Sequence, residues 1–390
     1  MSAELVGTLR ERARELWQGY AAPPESAGEE LRARAASTAL ADADLLGYAV
    51  AAARGGHATS GLCSDDEPSV RAMCALRDEL AYGDGLLDLM FVMQGLGSYP
   101  LQMGGRGPFA DAVCADVVAG RQIAAYGLTE PGAGSNLDEI ATGATRDGAG
   151  WRLDGLKTFI SNAGIADFYC VLARTSGEPG DRTPGGLTMF FVPASCNGLT
   201  TLPFEVIAPH PIGEVRFDGV EVSDDLRLGE VGEGLDLALR TLARFRTTVG
   251  AAANGFARRA LDESVQHLGA RQQFGRPLGA NQGLRFDLAE MDARLRAAQL
   301  LVDEAALASD RRAPDVARSV ARAKLVATET AGWICDRAVQ HHGGLGVKRG
   351  QIVESLYREV RALRIYEGAT EIQRLILGKL VLANGAQPPR

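Results

Sequence analysis

The hydrophobic period changes twice along this chain, and that double switch limits the architectures open to it. From Glu230 onward apolar residues recur at steps of three and four. Leu242, Phe245, Val249, Ala252 and Phe256 form one series, and Leu284, Leu288, Met291, Leu295, Ala298 and Val302 another. Val320, Ala323, Ala327, Ala331 and Ile334 make a third, so each stretch carries one apolar stripe, as the helices of an antiparallel bundle do. Small residues at Gly250, Ala251, Ala252, Ala253 and Gly255 would let neighbouring backbones approach closely. Residues 1 to about 124, rich in Ala, Leu and Arg, also read as helices, broken at Ala22-Pro23-Pro24 and around Gly104 to Pro108. Between about 125 and 229 the pattern is that of strands. Asp167 to Leu172 and Leu187 to Val192 are short apolar runs, and Pro184-Gly185-Gly186 supplies a turn ahead of the second. The expected class is α+β, mainly α: a helical domain over 1–124, a small β domain over 125–229 and a helical bundle over 230–390.

Composition narrows the function classes. Hydrophobic residues at 46% and charged residues at 23% suit an ordinary globular protein, and 49 acidic against 41 basic residues leave a formal charge of −8. That balance provides no general footprint for nucleic acid or anionic lipid. Only Lys157, Lys324, Lys348 and Lys379 are lysine, a bias that reads as genomic composition. Cys63, Cys74, Cys114, Cys170, Cys196 and Cys335 are scattered, with no Cys-x-x-Cys pair and no His at metal-ligand spacing, so no metal site is expected. The first 20 residues carry Glu4, Glu11 and Glu15 with Leu5, Leu9, Leu16 and Tyr20 at helical spacing, unlike a signal peptide or a membrane span. A cytoplasmic location without membrane partners is the simplest expectation.

Five segments could carry chemistry. Tyr126 to Asn136 is rich in Gly and bears Thr129 and Ser135, which suits either close approach to a flat or phosphorylated ligand or a plain exposed turn. In Asp154 to Ala163 an aromatic, Phe159, and a hydroxyl, Ser161, would share one strand face and could wall a heteroaromatic ring; a hydrophobic strand with one satisfied Ser is the bland reading. Ala270 to Leu278, followed by Gln282, places Arg271 and Gln273 where a forked guanidinium and an amide could meet a pyrophosphate or simply end a helix. Gln340-His341-His342-Gly343-Gly344 is a helix end with either a glycine cap or a backbone open to a nucleotide. Finally, Glu367 stands between Tyr366 and Gly368 in what reads as a loop between helices. Its carboxylate could be desolvated into a base, or it could be a surface residue near a helix start.

These segments, in this order and at these separations, resemble the acyl-CoA dehydrogenase family. The likeness runs from about Asp78 to Val381. It implies an N-terminal α domain, a central β-barrel-like domain and a C-terminal four-helix bundle, with FAD between the last two. By resemblance Tyr126, Leu128, Thr129, Gly134 and Ser135 line the path of flavin and thioester, Ser135 on the substrate side. Phe159, Ile160 and Ser161 would wall the isoalloxazine, with the Ser161 hydroxyl toward N5, where the family usually has Trp and Thr. Arg271, Gln273, Phe274, Gln282, Gln340, His341, Gly343 and Gly344 match positions that hold the FAD of a neighbouring subunit, which implies a homo-oligomer, commonly a dimer of dimers. Thr370 and Glu371 match the part that meets the cofactor's phosphates and ribose, and Arg246 an Arg near the pantetheine path.

Glu367 matches the general base, with Gly368 beside it facing substrate. In the family this carboxylate takes the α-proton of an acyl thioester while the β-hydrogen goes as hydride to flavin N5, giving a trans-2-enoyl product. Relatives with a base on an earlier helix would need a carboxylate in Leu242 to Thr248, and none is there. The acyl group could ride on CoA or on a carrier protein, and the implied electron acceptor is an electron-transfer flavoprotein. The alternatives are an acyl-CoA oxidase using O₂, a flavin monooxygenase on the same scaffold, disfavoured by Glu367, and a non-catalytic assembly protein.

Overall fold

A computed structural model describes residues 2–59, 61–181 and 184–384. In chain order its helices are α1 (Ser2–Gly19), α2 (Glu29–Asp42), α3 (Val70–Gly83), α4 (Gly85–Gly104) and α5 (Gly107–Val118). The strands follow: β1 (Ala124–Gly127), β2 (Gly143–Asp147), β3 (Gly150–Ser161), β4 (Phe168–Arg174), β5 (Leu187–Pro193), β6 (Leu199–Pro203), β7 (Ile212–Ser223) and β8 (Arg227–Leu228). Then come α6 (Gly234–Ala270), α7 (Gln282–Asp310), α8 (Val316–His342), α9 (Ile352–Leu363) and α10 (Thr370–Asn384). None of the described helices is long and apolar enough to cross a membrane. The chain divides into two compact units, one comprising mainly Gly19–Ser69 and Leu89–Phe245, the other Ala3–Gln18, Val70–Asp88 and Arg246–Arg390.

The first unit is built on one eight-stranded sheet in the order β6-β7-β3-β2-β4-β5-β8, with β1 running parallel to β4. Gly148, at φ 57°, closes the hairpin between β2 and β3. The two apolar runs became β4 and β5, and every residue from Phe168 to Val192 in these strands is buried. Both faces of these strands are covered, which is why they read as continuous runs without alternation. β7, by contrast, alternates buried Val215, Phe217, Val220 and Val222 with exposed positions, the mark of a half-solvated strand. Trp151 and Phe190 meet edge-on in the sheet core, centroids 5.4 Å apart.

In the second unit the apolar stripes of α6, α7 and α8 face inward: Val249, Ala252, Met291, Ala298, Ala323, Ala327 and Ala331 are buried. The small residues of α6 sit where backbones crowd. A Cβ on Gly255 would lie 2.2 Å from Asp78 O of α3, and one on Gly250 would lie 2.9 Å from Val302 Cγ2 of α7. The α3–α4 corner is fixed by Asp84, whose Oδ1 accepts from Leu86 N at 2.8 Å and Leu87 N at 3.0 Å as an N-cap.

Beneath that corner Arg77, 1% exposed, donates Nε and Nη2 to the two oxygens of Asp88, both at 2.7 Å, and Nη1 to Thr248 Oγ1 at 2.9 Å. Breaking such a pair strands a charge in the interior. Asp88→Ala is therefore expected to lower stability by about 3–5 kcal/mol, against less than about 1 kcal/mol for Glu290→Ala, which removes only the exposed helical pair with Arg294. Urea or thermal melts of the two variants check this, and equal losses would show that the buried pair carries no special weight.

Candidate functional site

Each unit gathers one set of the residues expected to act. In the first, the chain leaves β1 through Leu128, Thr129 and Glu130 into a tight turn where Glu130 and Ala133 exchange backbone hydrogen bonds of 2.9 and 3.1 Å. A buried ion pair holds this loop. Lys157 on β3, 0% exposed, donates to Glu130 Oε1 at 2.7 Å and to Leu128 O at 3.2 Å. The Glu130 carboxylate also accepts the amides of Ala141 at 2.7 Å and Thr142 at 3.0 Å. Burial by itself would raise the Glu130 carboxyl, but Lys157 and these bonds outweigh it and hold it below its usual value. Burial pulls the Lys157 ammonium down to about 8, with Glu130 opposing, so the pair is charged at neutral pH.

Thr158 N donates to Thr129 O at 2.9 Å and ties β3 to the loop. Just beyond, the register of β3 on β7 slips between Lys157 and Ile160, and Phe159 takes a left-handed φ of 55°. The alternation expected for Phe159 and Ser161 is thus replaced by a bulge, which re-aims a side chain out of the strand's regular period. Phe159 is 62% exposed, Ile160 is buried and Ser161 is half-buried. Behind them lies the segment entering β7: the Phe159 ring meets Phe204 edge-on, and Ser161 Oγ is 3.3 Å from His210 Nε2. Tyr126 and Leu128 are buried, while Gly134 and Ser135 are exposed.

In the second unit Glu367 occupies the short connection between α9 and α10, at φ 52°, followed by Gly368 at φ 92°. Three consecutive carbonyls of this connection are held from below. Lys324 of α8 donates to Tyr366 O at 3.0 Å and Gly368 O at 2.7 Å, Arg246 Nε of α6 to Glu367 O at 2.8 Å, and Gln373 Nε2 to Gly368 O at 2.8 Å. Thr370, buried, donates its hydroxyl to Glu329 Oε1 at 2.7 Å, and Arg364 pairs with the other oxygen of the same carboxylate. Glu371 is exposed.

Glu367 as a residue is partly exposed, yet its Oε2 is shielded from solvent and has no hydrogen-bond partner among the described residues. That shielding pushes its carboxyl above the usual carboxylate value, against the pull of Arg77, Lys324 and Arg246. Burial likewise takes the Lys324 ammonium down to about 8, with Glu367 opposing. The arrangement is a carboxylate made more basic by desolvation and kept ionisable by three nearby cations.

The remaining expected residues form an exposed rim of the second unit. Gln272–Gln273 and Arg276–Pro277 pair as a two-residue ribbon whose turn, Phe274 and Gly275, is left-handed at both positions, as a tight hairpin requires. Phe274 at its tip is 99% exposed, and Arg271, Gln273, Gln282, Gln340, Gly343 and Gly344 are exposed as well. His341 is buried beside Asp287 at 3.3 Å, and His342 stacks on His267 with centroids 4.2 Å apart, which brings the end of α6 to the end of α8.

Sequence reading missed Glu130, Lys157, Lys324 and His210. A signal for two of them was present. In a chain whose cations are almost all Arg, Lys157 and Lys324 are two of four lysines, and both are fully buried. A compact ammonium with three rotatable donors fits among converging carbonyls where a planar fork does not.

The family model described as "Acyl-CoA dehydrogenase, middle domain" matches residues 125–220, and that described as "Acyl-CoA dehydrogenase, C-terminal domain" matches residues 232–382. Benzylmalonyl-CoA dehydrogenase of Aromatoleum aromaticum is 36% identical over 367 residues, covering 92% of this chain and 93% of its own. A subunit of the caffeyl-CoA reductase–Etf complex of Acetobacterium woodii is 33% identical over 290 residues, 73% of this chain and 74% of its own. Among solved structures, butyryl-CoA dehydrogenase from Megasphaera elsdenii superposes with a TM-score of 0.86 at 28% identity, covering 97% of this chain and 98% of that one.

The cage under the Glu367 connection makes a prediction independent of any activity. Lys324→Met removes the donors to two carbonyls and should cost about 1–3 kcal/mol, with faster amide exchange over residues 364–370 by hydrogen–deuterium exchange. Unaltered exchange there would mean that Arg246 and Gln373 suffice to hold the loop.

Proposed function

Since the chain belongs to the acyl-CoA dehydrogenase family, we propose that this oxidoreductase removes the α- and β-hydrogens of an acyl thioester, with FAD as cofactor and Glu367 as general base. The observation that carries the reading is the state of Glu367: one carboxylate oxygen shielded and unbonded, in a connection whose Tyr366, Glu367 and Gly368 carbonyls are all held by side chains. A hydrogen α to a thioester is a weak acid, so a carboxylate in water removes it poorly. Desolvation strengthens the base, and a site that also polarises the thioester carbonyl lowers the barrier further.

The residues present suit a flavin. Phe159 offers an exposed aromatic face beside the Ser161 hydroxyl, and nothing lies within 4 Å of where Cβ atoms on Gly132 and Gly134 would be, which leaves the loop's backbone open to a ligand. When bound, FAD supplies the acceptor for the β-hydrogen. Everything else falls to the chain. Glu367 holds the α-proton. Arg246, whose Nε is committed to the Glu367 carbonyl, acts by holding the base in place. The backbone N–H of Glu367 and the flank at Gly368 face the thioester in this reading, with Ser135 on the acyl side, and Tyr126, Leu128, Thr129, Phe159, Ile160 and Ser161 hold the ring system.

The exposed Arg271, Gln273, Phe274, Gln282 and the Gln340–Gly344 corner, with Thr370 and Glu371, are proposed to serve the nucleotide part of FAD, the first group across a contact between two copies of the chain. Phe274, 99% exposed at the hairpin tip, is the apolar side chain that such a contact would cover. An electron-transfer flavoprotein is the proposed acceptor, in keeping with the Etf complex named for the Acetobacterium relative.

Anaerobic titration of the purified protein with a panel of CoA and carrier-protein thioesters tests the reading. At least one thioester should bleach the bound flavin, and Glu367→Gln should slow bleaching by about 10²–10⁴-fold while flavin is retained. A variant reduced as fast as wild type would remove Glu367 from the role of base; a wild type that no thioester reduces would remove the dehydrogenase. The pH profile has a definite sign. The base works deprotonated, so the rate is lost on the acid side, with a midpoint above the ordinary Glu value of about 4.3 because burial raises this carboxyl.

A further inference from the structure

Ser161 is a serine on a bulged strand end, and a serine hydroxyl rotates among three staggered positions unless something holds it. His210 does so. Its Nδ1 lies 2.8 Å from Ala208 O, and a carbonyl can only accept, so Nδ1 carries the proton. Burial lowers the His210 pKa, the Ala208 bond opposing, so the ring is neutral near pH 7. A neutral imidazole protonated at Nδ1 has only a lone pair at Nε2. The Ser161 hydroxyl, 3.3 Å away, must then be the donor, and it has no other hydrogen-bond partner among the described residues. The segment carrying His210 is itself pinned beside Ser161. Asn162 N donates to Pro211 O at 2.7 Å, Phe204 N donates to Ile212 O at 3.1 Å, and Ser161 pairs with Ile212 in the β3–β7 ladder.

From this chain of donors we infer that His210 is a positioning residue for the redox step: it accepts the hydrogen bond of the Ser161 hydroxyl and leaves the remaining lone pairs of Ser161 Oγ as acceptors only. The inference rests on the flavin reading above, in which Ser161 meets N5 of the isoalloxazine. Oxidised flavin has an acceptor at N5, whereas reduced flavin carries N–H there. An oxygen that can only accept matches the reduced form and opposes the oxidised one. His210 thereby biases the bound cofactor toward taking electrons from substrate.

The test is the two-electron midpoint potential of the flavin in purified holoprotein, read by dye equilibration. In His210→Phe the Ser161 hydroxyl is free to donate to oxidised N5, and the equilibrium should move about tenfold toward the oxidised form, about 30 mV for a two-electron couple. His210→Gln, whose amide oxygen can still accept from Ser161, should stay within about threefold of wild type. In a Ser161→Ala background the same His210→Phe change should have no further effect, as a double-mutant cycle requires if His210 acts through that hydroxyl. If His210→Phe does not fold, His210→Ala also lacks an acceptor and is read in the same way. An unmoved potential in a flavin-loaded His210 variant, or an equal shift with and without the Ser161 hydroxyl, overturns the role of His210 and leaves the dehydrogenase reading standing. A wild type that binds no flavin overturns both.

Discussion

An ammonium group buried without hydrogen bonds is among the costliest things a fold can contain, and the two lysines this protein buries, Lys157 and Lys324, are each bonded where they organise a loop. Lys157 collects Leu128 O and Glu130, and Lys324 collects Tyr366 O and Gly368 O. In both cases the carbonyls come from segments outside helix and sheet, whose own backbone bonds would otherwise be few. The cation needs the loop as much as the loop needs the cation. Removing Lys324 takes the side-chain donor from Tyr366 O and removing Lys157 takes it from Leu128 O and strands Glu130, while rearranging either loop leaves a charge unpaired, so both conformations are narrowly specified.

The same economy sets the electrostatics around Glu367. Left-handed backbone at Glu367 is unfavourable for a residue with a side chain, and it persists because Lys324, Arg246 and Gln373 hold the carbonyls on either side. Lys324 and Arg246 also bring positive charge close to a carboxylate that shielding would otherwise keep protonated. Desolvation raises the carboxyl and the cations restrain the rise. A base for carbon acids needs both, since one that is too well stabilised by cations is weak and one that is too poorly solvated is never ionised at neutral pH.

Much of this was legible in the chain because much of it is local. Three-and-four spacing at Val249, Ala252 and Phe256 comes from one helix turning against one core, and the run Leu187 to Val192 comes from one strand covered on both faces. The position of Glu367 in a connection between helices followed from the periodic segments on each side. The bulge at Phe159 was not legible, because alternation is the default of a strand and nothing in Lys157 to Ser161 announces the slipped register against β7. Nor was His210, a lone histidine between two prolines, which acquires meaning only by lying against a serine 49 residues earlier.

By itself, then, the sequence determined which stretches are helix, which are strand and which loops carry the acid, the hydroxyls and the glycines, because those properties depend on neighbours a few residues away. Tertiary structure alone decided how each of those groups is charged and aimed. The charges of Arg77, Arg246 and Lys324 act on Glu367 from α3, α6 and α8, and the Ser161 hydroxyl is directed by a ring in the connection from β6 to β7. Desolvation and hydrogen-bond direction are set by what packs around a side chain. In this protein those packing partners come from segments well beyond one element's length apart, such as Ser161 and His210, 49 residues apart, or Arg246 and Glu367, 121 apart, where no local pattern records them.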